Sequence, residues 1–151
     1  MRPVADKTAK GQTETLVFEV TLQHPPAKVW RTLTEPALLA EWLLPVQGSG
    51  EGLALEPGTP FTFKTDPVGG WDGVVSCKLL EVEALKKLRY AWVVGDMDTV
   101  VTFTLTPTPT GTQLTLVHSG FQPSQKQNFG GARYGWNLMH GRLVDLLART
   151  S

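Results

Sequence analysis

Along residues 15–22, TLVFEVTL, apolar and polar positions alternate: Leu16, Phe18, Val20 and Leu22 share one side, Val17, Glu19 and Thr21 the other. A period of two marks a half-buried strand. The period changes at His24-Pro25-Pro26, where tandem prolines end the strand and pre-set a first helical turn. Val29, Trp30 and Leu33 then recur at helical spacing. Thr34 reads as the cap of a second helix, Pro36 falls in its first turn, and Leu38, Leu39, Trp42 and Leu43 form its apolar stripe. Residues 29–45 therefore predict two short helices meeting at a corner.

Residues 46–60 have turn composition, with room for one short strand over 53–55. Period-two segments follow. Phe61 and Phe63 share a side, and a longer strand is expected over 74–82, where both alternating sets contain apolar residues and leave its parity open. Leu88, Tyr90, Trp92 and Val94 form the next set, then Val101, Phe103 and Leu105, then Leu114, Leu116 and His118. Short alternating strands separated by turn signals favour antiparallel neighbours. From about Gln125 to Arg149 the period becomes helical, with Phe129, Ala132, Trp136, Met139, His140, Leu143 and Leu147 on one stripe. Asp145 and Arg149 are spaced for a surface i,i+4 pair. Glycines 130, 131, 135 and 141 lie in this helix, each about 1 kcal/mol worse than Ala, so tertiary packing must hold it. The order predicts an α+β domain: a curved antiparallel sheet of six or seven strands wrapped around a long C-terminal helix, with two short helices after the first strand. Residues 1–12 are patternless and read as a flexible leader to a single domain over 13–151.

Composition narrows the function classes. Lys plus Arg equals Asp plus Glu at 14 each, so net charge favours neither nucleic acid nor an anionic membrane. The single Cys77 excludes an internal disulfide and a cysteine-based zinc cage. The N-terminus lacks a hydrophobic signal core, and the expected compartment is the cytoplasm. Five Trp and six Phe need an interior large enough to hold them.

The segments HPPAKVWRTLTEPALLAEWLLP, LRYAWV, GTQLTLVHSGF and GWNLMHGRLVDLL together resemble the family of homologues of the activator of heat-shock-protein-90 ATPase, within the START-like (SRPBCC) helix-grip superfamily. The resemblance runs from about residue 14 to 149. It implies a helix-grip fold with a cavity between sheet and helix. The residues placed to line it are Phe61, Phe63, Tyr90, Trp92, Phe103, His118, Phe129, Arg133, Trp136, Met139 and His140. Gly135 and Gly141, on a helix facing large aromatics, would either bring the backbone close to the sheet or leave such a void. The expected role is binding of a small apolar or aromatic molecule, with no cofactor and no metal. The family's name implies an alternative, a co-chaperone stimulating a heat-shock ATPase. The eukaryotic activators carry a further N-terminal domain that 151 residues would not hold.

Candidate chemistry centres on two histidines. His118 shares the inward parity of Leu114 and Leu116, and His140 lies inside the apolar stripe of the last helix. They could flank a ligand or serve as acid and base, or each could simply be satisfied by a core hydrogen bond. A third function, cyclase- or hydrolase-like, would use His140 with Tyr90 or Arg133 to polarise a carbonyl. His24, before Pro25, reads as a surface or capping residue, and Cys77 as a buried inert thiol. No phosphate-binding loop, nucleophile elbow or zinc-protease motif occurs.

Overall fold

The computed structural model describes residues 4–8, 14–46, 55–67 and 71–149. The alternating segments form strands with the expected sides inward. They are β1 (Val4–Asp6), β2 (Thr15–Leu22), β3 (Pro60–Lys64), β4 (Val74–Glu83), β5 (Lys87–Val94), β6 (Met97–Thr108) and β7 (Gly111–Ser119). They make one antiparallel sheet in the order β1-β2-β7-β6-β5-β4-β3. The register sets Leu16 beside His118, Phe18 beside Leu116 and Val20 beside Leu114. It continues with Val101 beside His118 and Phe103 beside Leu116.

Three helices complete the chain: α1 (Pro26–Thr34), α2 (Pro36–Trp42) and α3 (Lys126–Arg149). Pro26 and Pro36 open the two short helices, where a missing N–H breaks no helical bond. The corner is one residue, Glu35, which ends α1 and begins α2 in extended conformation. Thr34 does not cap α2 as expected; it ends α1, and its hydroxyl donates to the Trp30 carbonyl at 3.0 Å. Trp42 locks the corner by donating its indole N–H to the Thr32 carbonyl at 2.7 Å.

α3 lies across the concave side of the sheet. Its Trp136 ring meets Trp92 and Phe103, and its His140 ring meets Phe18. This is the helix-grip arrangement. The leader holds an element that the sequence reading missed: Val4–Asp6 pairs with β2 as the edge strand. Five strands follow the short helices among the described residues, and most of the expected strand at 53–55 lies outside them. The ambiguous parity of 74–82 has a cause. The register passes from Leu79 opposite Tyr90 to Glu81 opposite Arg89, leaving Leu80 as an extra residue. This bulge turns Val82 to the same face as Val75, Cys77 and Leu79, so both alternating sets had to contain apolar residues. Gly111 is required by close approach, because a Cβ there would collide with the Leu22 carbonyl.

Candidate functional site

The inward residues of the sheet fall into two fields. Leu16, Phe18, Val20, Leu114 and Leu116 are 0% exposed, as are Leu143, Leu146 and Leu147 of α3 above them. Across β3, β4 and β5 the field is aromatic. Phe61 meets Phe63 and Tyr90 edge-on, Phe63 meets Trp92, and Tyr90 stacks on Trp92 at 6.4 Å between centroids. Burial holds the Tyr90 phenol and the neighbouring Cys77 thiol well above their ordinary pKa values, so both stay neutral.

Between the fields stands a fixed polar chain. Thr99 Oγ1 lies 2.7 Å from the Trp92 carbonyl and 2.8 Å from His118 Nε2. The carbonyl can only accept, so the hydroxyl gives its one proton to Trp92 and accepts from Nε2–H. At the other ring nitrogen, Trp136 Nε1–H donates to His118 Nδ1 at 2.9 Å. Both ends specify the same neutral tautomer. Burial agrees, pushing the His118 pKa down to about 3. A proton on Nδ1 would set two donors against each other, so His118 is a structural group with every polar atom satisfied.

His140 has the opposite character. Phe18, Trp42 and Trp136 surround its ring, the last two stacked on it at 6.2 and 5.7 Å. Neither nitrogen has a hydrogen-bond partner among the described residues. Burial pushes its pKa down to about 4; the Trp136 carbonyl one turn back opposes this without reaching hydrogen-bond geometry. The two histidines lie on either side of the Trp136 ring.

The remaining expected residues divide. Phe61, Phe63, Tyr90, Trp92, Phe103 and Trp136 come together in the aromatic field. Phe129 packs on Phe121, which packs on His118. Met139 is half-buried. Arg133 lies outside: its side chain is 47% exposed and its guanidinium pairs with Asp6 of β1 at 2.5 Å. The glycine expectation also changes. Gly141 borders an external groove with Val4, Tyr134 and Leu138, and a Cβ at Gly135 would meet only the Met139 methyl at 3.7 Å. Gly141 therefore faces away from the rings, whereas Gly135 has open space around it apart from Met139. Among the described residues no group of three or more His, Cys, Asp or Glu could hold a metal, and no helix is long and apolar enough to cross a membrane.

The aromatic field is the less sealed of the two. Trp92 is 7% and Cys77 6% exposed, and Phe61, Val94 and Trp71 are only half-buried. Beside Trp71 and Val94 an open surface pocket of about 600 Å³ is further lined by Asp72, Gly95, Gln127 and Asn128. Val94 continues the inward row of Tyr90 and Trp92 along β5. Sequence reasoning missed Trp71, Gln127 and Asn128, which no periodicity marks. It also missed Thr99, although a lone hydroxyl at the inward parity of Val101 and Phe103 is a readable signal.

Residues 23–148 match the profile of the family described as Activator of Hsp90 ATPase homolog 1-like protein. Among solved structures the chain is similar to protein MLL2253 from Mesorhizobium loti, at 42% identity, covering 91% of this chain and 98% of that one, with a TM-score of 0.81. It is similar to protein NE0264 from Nitrosomonas europaea at 26% identity, covering 91% and 96%, with a TM-score of 0.73. CalU16 from Micromonospora echinospora is 20% identical over 99% of this chain and 86% of that one, with a TM-score of 0.70, a likeness of fold alone. No curated protein matches the chain.

Proposed function

Because this chain belongs to the Activator of Hsp90 ATPase homolog 1-like protein family, we propose that it binds a small apolar or aromatic molecule against the β3–β5 part of its concave face. The molecule enters by the mouth between Trp71, Val94 and Asn128. The observation that carries this reading is the uneven seal: Trp71 lines a 600 Å³ opening and Phe61 and Trp92 of the same field keep some exposed surface, while Leu16, Phe18, Val20, Leu114 and Leu116 keep none. Large apolar rings with a few polar groups at the rim, here Asp72, Gln127 and Asn128, suit an apolar body with one hydrogen-bonding end. Binding is favoured over turnover because the groups offered for acid–base work are not gathered. His140 lies beyond Trp136 from Tyr90, and Arg133 is on the outer surface.

Amide NMR titration with naphthol-class probes tests the reading. Shifts are expected at Trp71, Trp92, Val94 and Asn128, with none at Leu16 or Leu114. Shifts centred on the aliphatic field, or none at millimolar probe, would refute it.

A further inference from the structure

On the side of α3 turned away from the sheet, Tyr134 is 73% exposed and Leu138 47% exposed, one turn apart. Gly130, Gly131 and Gly141 share that side at 100° per residue, and a Cβ at any of the three would meet nothing within 4 Å. Glycine weakens a helix, and no contact within the described chain requires it at these positions. An external groove of about 560 Å³ follows this side, bordered by Val4, Tyr134, Leu138, Gly141, Arg142 and Asp145. Among the described residues Asp145 makes no ion pair, Arg149 reaching Glu41 instead at 3.7 Å, and the Tyr134 hydroxyl has no hydrogen-bond partner.

The spacing is specific. Tyr134, Leu138, Gly141 and Asp145 follow one another by four, three and four residues, the core positions of a heptad. We propose that this face pairs α3 antiparallel with α3 of a second copy of the chain, Leu138 of each copy seated over Gly141 of the other. The same two-fold pairing sets Tyr134 opposite Asp145, where the phenol O–H donates to the carboxylate. A parallel pair would instead face Asp145 with Asp145 and Gly141 with Gly141, a repulsion and a gap. The antiparallel pair matches each group with its complement, and one chain supplies both the protruding residue and its seat. That self-complementarity identifies the occupant as a second copy. A contact of one helix pair falls among small interfaces, below about 1,200 Å², so the dimer is weak and concentration-dependent.

Sedimentation velocity from micromolar to millimolar chain is the test. The wild-type chain is expected to shift from monomer to dimer across that range. Gly141→Leu fills the seat, and Leu138→Asp removes the protruding group; each should weaken pairing at least tenfold. Leu138 is exposed and a side chain at Gly141 would meet open space, and far-UV circular dichroism checks that each variant keeps its helix. A chain that stays monomeric at millimolar concentration overturns the proposal. So does a dimer that either variant leaves unchanged, or that Gly141→Leu tightens as a merely sticky surface would.

Discussion

The aliphatic and aromatic fields of the concave face solve one packing problem in different ways. Under the C-terminal half of α3, branched and straight side chains from β2 and β7 interlock until nothing is exposed. Under its N-terminal half the span to β3–β5 is bridged by large rings, and these touch in tilted and edge-on pairs that leave their margins open at Phe61 and Trp92. Flat, rigid groups cover area with few torsions but fill volume less completely than aliphatic chains. The difference separates a field with no exposed surface from one whose margins stay partly exposed.

The comparison can be broken by substitution. Phe18→Ala, in the sealed field, is expected to destabilise by about 3–5 kcal/mol in denaturant unfolding; a loss near 1 kcal/mol would show that field to be no tighter than the other. Next in size is pH. Native His118 and His140 take up protons only near 3 and 4, whereas an unfolded imidazole does so near 6.5. The unfolded chain therefore binds more protons as pH falls below about 6.5, and stability is lost toward pH 4 by about 1.4 kcal/mol per pH unit for each histidine. Urea midpoints at pH 5 and 7 measure this slope, and His140→Phe should roughly halve it. Thr99→Val removes the link between His118 and the Trp92 carbonyl, stranding a buried donor and a buried acceptor. A cost of about 1–3 kcal/mol is expected, and a neutral result would mean the chain between the fields is dispensable. Smallest in stability is Phe61→Ala, at about 1 kcal/mol because the ring is only half-buried. The same variant should lower naphthol-class probe affinity at least severalfold in NMR titration, and an unchanged affinity would remove the aromatic field from the binding reading.

Sequence was most legible where one face meets the core and the other meets solvent. The alternation in β2, β6 and β7 and the stripe Phe129–Trp136–His140–Leu143–Leu147 all landed inside, because burial selects residues at a fixed period. Legibility failed where the period breaks or where a residue has no side chain to follow. Leu80 hides the parity of β4, and a three-residue edge strand in the leader is too short to show a pattern. Gly141, on a helix expected to face the rings, is carried outward by its place on the helical wheel. Arg133 and Arg149 illustrate a third limit: their partners, Asp6 and Glu41, come from distant segments that local spacing cannot name.

The Trp136–His118–Thr99–Trp92 chain fastens the middle of α3 to three adjacent strands at once. The helix is consequently pinned partway along, and it cannot lift from the sheet as a plank without parting that fastening. The turns before Trp136 carry Gly130, Gly131 and Gly135, the residues that contribute least to helix stability. Ahead of that point the helix is held by Phe129 on Phe121, itself packed on His118, so the same histidine anchors α3 from both sides of its middle.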